Sequence, residues 1–290
     1  MTSPGIPETR FARSGVVDIA YQVVGEGERD IVVGIGWVSH LELLWELPET
    51  VHFLRRLQSF GRLVLYDARG TGLSDRPARP ATLEDLVEDL VAVLDAVGST
   101  RAVIVGWVDK AAAAVALAAR HPERVEALVL GEAMATTVDR EGDPGGLDRA
   151  VVERLAAAAE QGAWGTGVLL PGIAPSVADD PRIAAWWRRW ERMSATPNMA
   201  ATCCGHWSTS TCGPCCPRSP PAPSCCIAWT THWWVGPRCV GWPKACPTGA
   251  SSSCREPTCP PSSATRTRFS TRSRSSSRAP APAPTRTTRC

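Results

Sequence analysis

Residues 102–125 read AVIVGWVDKAAAAVALAARHPERV. Four apolar residues, Ala102 to Val105, run through Gly106 into an Ala-rich stretch that ends at Arg120-His121-Pro122. A short apolar run bounded by glycine reads as a buried strand, and the alanines read as a helix closed by proline. Strand, tight turn and helix in that order can present a nucleophile at the turn. The turn here is Gly106-Trp107-Val108-Asp109-Lys110, which contains no serine or cysteine.

Working outward, the same alternation repeats. Val16 to Val24 and Asp30 to Gly34 read as strands around the turn GEGER, and Arg62 to Tyr66 is another short apolar run. Leu83 to Val97 is predicted to be a helix. Leu86, Leu90, Val93, Leu94 and Val97 share one face, Thr82 and Asp85 have capping-box spacing, and Gly98 supplies the stop. Ala127 to Leu130 is a further strand. Strands alternating with helices predict a mostly parallel, doubly wound sheet. Residues 150–160 and 181–193 are predicted helical. Ile183, Trp186, Trp187 and Trp190 fall on one face of the second, either packing on the core, lining a lid over a pocket, or both.

Composition divides the chain near residue 200. Residues 1–200 hold 20 Lys+Arg against 28 Asp+Glu; residues 201–290 hold 11 against one, Glu256. All 12 cysteines lie after residue 200, in a stretch without Leu, Asp or Tyr. Leucine is the commonest core residue, so residues 1–200 are expected to carry the folded core and residues 201–290 to be largely disordered. No apolar run approaches the ~18 residues of a bilayer span, and the N-terminus has no apolar signal core, so a cytoplasmic protein without membrane contact is expected.

Taken together, FARSGVVDIAYQVVG (11–25), GWVSHLELLWE (36–46), FLRRLQSFGRLVLYDARGTGLSD (53–75), ATLEDLVEDLVAVLDAVGSTRAVIVG (81–106) and HPERVEALVL (121–130) resemble the α/β-hydrolase family. They are most similar to bacterial hydrolase-type domains found beside adenylate cyclase domains. The resemblance implies an α/β-hydrolase fold with a helical lid at about 150–193. It also implies an elbow of pattern G-x-S-x-G, in which Gly106 takes the first glycine, Val108 the serine and Lys110 the second glycine. The family's oxyanion hole would correspond to the backbone N–H groups of Asp109 and Trp37. Valine has no lone pair and no acidic proton, so it cannot attack a carbonyl. The elbow apex needs φ > 0, which is costly for a β-branched residue, so the turn is expected to relax.

The remaining candidates have plainer readings. Asp109, one residue past the apex, is expected to pair with Lys110 or solvent rather than act as a nucleophile. Asp67, Arg69, Gly70 and Gly72 are expected to shape a turn, and His121 to be an exposed helix end. Cys212-Gly213-Pro214-Cys215 matches a redox motif but lacks a preceding strand, and the other cysteines show no repeated CxxC pairs, so neither redox nor zinc chemistry is favoured. The basic run RTRFSTRSRSSSR (266–278) could bind nucleic acid only non-specifically.

The tail also reads as out of frame. Taking the last base of each codon with the first two of the next, residues 224–236 decode to an apolar run followed by an acidic turn. Residues 255–266 decode to G-A-D-(L/V/M)-(P/S), similar to the family's last loop. The family's histidine then falls on the junction of Thr258 and Cys259, which can encode only Leu, Val or Met. With the elbow serine absent and no histidine in register, the sequence predicts a degenerate, non-catalytic hydrolase-family protein that needs no cofactor or metal and could hold a small apolar ligand. An ester, lactone or epoxide hydrolase with an atypical nucleophile is the alternative, and a Cys-rich redox or metal protein a third. A sheet ending at Ala127–Leu130, with that strand as a bare edge, is the structural expectation, and low solubility follows from it.

Overall fold

A computed structural model describes residues 5–132, 148–207 and 226–229; for 204–207 and 226–229 it describes the backbone alone. These all belong to the first of two compact units, Met1–Ala245. The strands are β1 (Thr9–Ser14), β2 (Val17–Val24), β3 (Asp30–Gly34), β4 (Arg62–Tyr66), β5 (Ala102–Trp107), β6 (Val125–Gly131) and β7 (Cys226–Trp229). The helices are α1 (Pro48–Gln58), α2 (Leu83–Ala96), α3 (Asp109–Arg120), α4 (Arg149–Ala158), α5 (Leu170–Ile173), α6 (Pro181–Ser194) and α7 (Pro197–Trp207).

The seven strands form one sheet in the order β1-β2-β4-β3-β5-β6-β7. β1 and β2 pair antiparallel with each other, and β2 pairs antiparallel with β4. Every other pairing is parallel. The period of two along each strand sorts the core into two layers. Val32, Val64, Ile104 and Leu128 face α2 and α3. Ile31, Val33, Leu63, Leu65 and Val105 face Leu54 of α1, the turn at Leu41–Leu44 and Trp190 of α6. Burial on both faces explains why the central strands read as continuous apolar runs.

α2 forms as its sequence predicts. Thr82 Oγ1 accepts from the Asp85 N–H at 3.2 Å, and the Asp85 carboxylate accepts from the Thr82 N–H at 2.7 Å, closing the capping box. Leu86, Leu90, Val93 and Leu94 are buried, and Gly98 takes φ +68° just past the helix.

Two expectations change. β6 is not a bare edge: Cys226–Trp229 pairs alongside it in parallel register, Leu128 opposite Cys226 and Gly131 opposite Trp229. Four residues with apolar and β-branched character suffice to fill that slot, so the solubility argument from a bare β6 falls away. The antiparallel β1, read only as part of a matching stretch, forms the opposite edge. The division at residue 200 falls inside α7, whose Ala200 and Ala201 are buried. The CGPC motif, the basic run and most of the tail lie outside the described residues. Among those described, no helix is long and apolar enough to cross a membrane.

A buried ionic network pins α2 to the loop after β4. Arg69 Nη2 and Asp89 Oδ1 are 2.6 Å apart, Arg69 Nη1 and Asp85 Oδ1 2.8 Å, and all three side chains are at most 8% exposed. Burial opposes ionisation of Asp85, but Arg79, Thr82 and Arg69 outweigh it and hold its carboxyl well below the usual range. Removing one member strands the others without compensation, so Arg69→Ala is expected to cost about 3–5 kcal/mol in urea unfolding. Because the folded pKa of Asp85 is depressed, its contribution is present above the ordinary carboxylate pKa of about 4 and is lost as pH falls below it. Asp85→Asn should therefore flatten the acid limb of the stability–pH curve.

Candidate functional site

The site is the turn between β5 and α3. Gly106 is obligatory there: a Cβ would lie 2.6 Å from the Lys110 carbonyl oxygen and 2.9 Å from the Ala111 nitrogen. The close approach of strand and helix follows directly, and it leaves Val108 to reverse the chain with φ +55° and ψ −115°. The turn has not relaxed, contrary to expectation. Its backbone is satisfied where it stands: the Val108 N–H donates to Gly131 O at 3.1 Å, and the Val108 carbonyl accepts from the Ala111 N–H at 3.2 Å. A backbone strain on the order of 1–3 kcal/mol is thus held by fixed hydrogen bonds and packing.

The Val108 side chain packs against Val152 of α4, as do Trp37, Leu155 and Ala156. Trp37, in the loop after β3, also meets Trp164 edge-on, ring centroids 5.4 Å apart. Helices form within the predicted 150–193 segment: α4 packs Val152 against Val108, and α6 lays Trp186, Trp187 and Trp190 against the sheet's second core layer. Trp186 and Trp190 stack with centroids 4.9 Å apart, and Trp186 Nε1 donates to Leu43 O at 3.2 Å. The tryptophan face therefore packs on the core, the first of the two expectations for it.

Behind the apex, the residues at the second-glycine position and the one before it form a buried ion pair. Lys110 Nζ lies 2.7 Å from Asp109 Oδ2 and 3.4 Å from Trp37 O. Both side chains are nearly buried, and Lys110 runs along Gly34, where a Cβ would come within 2.7 Å of it. Burial pushes the Asp109 carboxyl up, against the pull of Lys110. Its Oδ1 has no hydrogen-bond partner among the described residues. A cavity of about 20 Å³ lies beside this pair, lined by Arg69, Thr71, Asp109, Lys110, Thr202 and Cys203 among others. That is room for about one water, far below a ligand pocket of hundreds of Å³. Burial pushes the Cys203 thiol up to about 11, the wrong direction for a reactive cysteine.

The Asp67-to-Asp75 segment is the turn expected. Asp67 Oδ1 accepts from Ser39 Oγ at 2.6 Å, and Oδ2 accepts from the N–H groups of Leu41 and Leu73 at 3.2 and 2.9 Å. Gly70 and Gly72 take φ +87° and +51°. This turn fixes the loop carrying Trp37. His121 is partly exposed at the end of α3, 3.5 Å from Glu123 and far along the helix from the apex. Sequence reasoning missed one lid residue, the fully buried Glu191. A lone acid on an Arg-rich helix gives no signal of burial; only the turn folded against it does.

With this geometry in place, the comparisons agree with the fold. A family profile described as alpha/beta hydrolase fold matches residues 53–161. A protein of Caulobacter segnis named for a carbamate hydrolase (RutD) is 35% identical over 122 residues, 40% of this chain and 44% of that protein. A pimeloyl-(acyl-carrier protein) methyl ester esterase of Nitrosospira multiformis is 31% identical over 148 residues, 49% of this chain and 52% of that protein. A solved bromoperoxidase from Bacillus anthracis superposes with a TM-score of 0.61 at 18% identity, covering 70% of this chain and 75% of that one. The chain has the α/β-hydrolase fold, and residues 53–161 match the profile of that family. It spans about half, or less, of the length of these two curated relatives. The matches do not bear on the resemblance to domains beside adenylate cyclases, nor on the out-of-frame reading of the tail.

The ion pair gives a test of the site's construction. Lys110→Met leaves a buried carboxylate uncompensated and should cost about 3–5 kcal/mol in denaturant unfolding. Asp109→Leu combined with Lys110→Met should recover most of that loss, a coupling read from the double-mutant cycle.

Proposed function

We propose that this chain is a non-hydrolytic member of its family, a pseudoenzyme whose elbow serves as a packed platform under the lid. The observation that carries the reading is Val108 at the apex: it keeps the backbone conformation of a nucleophile while offering only a hydrocarbon, packed against Val152 of α4. Acyl transfer needs an attacking lone pair and a base to activate it. The neighbouring acid is unsuited, because Asp109 is turned into the buried pair with Lys110.

The surrounding surface supports binding of a small apolar ligand in a cytoplasmic setting. Trp37, Val108 and Leu155 all pack against Val152 of α4 or belong to that helix, so a ligand would reach this apolar lining by displacing α4. An ester, lactone or epoxide hydrolase is the competing reading, supported by the relatives named for hydrolase and esterase activities. A thiol or metal function rests on cysteines outside the described residues; the described Cys203 argues against it. The out-of-frame origin of the tail is tested by resequencing codons 195–210.

A fluorophosphonate probe and p-nitrophenyl esters decide between the first two readings. The expected result is no stoichiometric labelling and no turnover above buffer. Val108→Ser should stay inactive as well, since a serine without its base gains little. Stoichiometric labelling of the unaltered chain would overturn the proposal.

A further inference from the structure

Glu191 lies in the last turn of α6 and is fully buried. Its Oε2 accepts from the N–H groups of Gly165 and Gly167 at 2.9 and 3.1 Å, and its Oε1 accepts from Trp187 Nε1 at 2.7 Å. A buried carboxylate is costly unless its lone pairs are satisfied, and here three neutral donors converge on it. The turn it grips is shaped for that contact. Gly165 and Gly167 take φ +82° and +81°, and a Cβ on them would meet the Arg192 and Arg188 side chains at 2.5 and 2.8 Å. Arg192 Nη1 closes the turn from the other side by donating to Gly165 O at 2.7 Å.

The turn begins with Trp164, the residue that reaches the site. Its indole Nε1 donates to Ala195 O at 2.8 Å, and its ring stands edge-on to Trp37. Trp37 in turn packs against Val152 of α4, as Val108 does, and its carbonyl accepts from Lys110. A continuous chain of contacts thus runs from Glu191 through the 164–168 turn and Trp164 to the loop beside the elbow. We propose that Glu191 is the positioning residue of this site: it holds the turn so that Trp164 keeps Trp37 seated beside Val108. This deepens, and rests on, the reading of the lid-covered elbow as the functional site. A merely structural role would leave Glu191 gluing its own turn to α6, with Trp37 indifferent to it.

The full chain labelled with 5-fluorotryptophan separates the two by ¹⁹F NMR. Trp37→Phe and Trp164→Phe assign the two resonances, and Trp164→Phe also gives the Trp37 shift in the absence of its partner ring. In Glu191→Ala, the Trp37 resonance is expected to move to that position. In Glu191→Gln, which keeps one acceptor oxygen for the glycine N–H groups, it should stay near its place in the unaltered chain. A Trp164 resonance that moves in Glu191→Ala while Trp37 does not would overturn the proposal. So would a Trp37 resonance that is the same with and without the Trp164 ring. Should Glu191→Ala not fold, Glu191→Asp, which withdraws the carboxylate by one methylene, is read against the same two outcomes. No ligand enters the experiment, so failure to bind an apolar compound sinks the functional reading and leaves this one standing.

Discussion

The close approach of β5 to α3 at Gly106 is the constraint on which the site depends. With no room for a Cβ at that position, strand and helix meet almost backbone to backbone. The chain can then reverse only through a residue at φ +55°, and that residue is a valine. The parallel pairing of β5 with β3 and β6 fixes the strand, and burial of Ala111, Ala113, Ala114 and Leu117 fixes the helix. The surrounding fold therefore imposes the elbow, whatever side chain stands at its tip. This is why the expected relaxation does not occur: several kcal/mol of packing on either side exceed the strain at one residue.

What has changed is the chemistry placed on that frame. At the position of the pattern's second glycine stands Lys110, whose side chain runs past Gly34 to reach Trp37 O and Asp109. A buried ammonium needs a buried acid, and Asp109 supplies it at the cost of one carboxylate oxygen left without a partner among the described residues. The apex and its flanks thus present hydrocarbon toward α4 and an ion pair toward the interior. Trp37 and Trp164 meet beside the apex, and Glu191 holds the turn from which Trp164 projects.

Much of the fold was legible in the residues because local pattern and tertiary demand coincide there. Asp30–Gly34 and Arg62–Tyr66 form strands at the boundaries read from their apolar runs, and the Thr82–Asp85 capping box closes as its spacing requires. The turn at 67–75 was likewise readable, since Asp and Gly have few other uses at such positions. The strand Cys226–Trp229 was not. Four residues in a Cys- and Pro-rich stretch carry no periodicity, and it is β6 that offers them a ladder to join. α1 was passed over although Val51, Leu54 and Leu57 recur at helical spacing behind Pro48, because the segment was read only as part of a matching stretch.

The sequence by itself determined the order of strands and helices, the two-layer core and the absence of a nucleophile at the elbow, because each depends on residue type and near neighbours. Only the tertiary structure decided that Val108 would keep the strained conformation, that Lys110 would turn inward to Asp109, and that Glu191 would be buried under the lid. Those outcomes rest on segments far apart in the chain: Gly131 accepting from Val108, Trp37 from Lys110, and Glu191 from Gly165 and Gly167. A strained backbone or a buried charge is stable only where such distant partners converge, and no local pattern encodes their meeting.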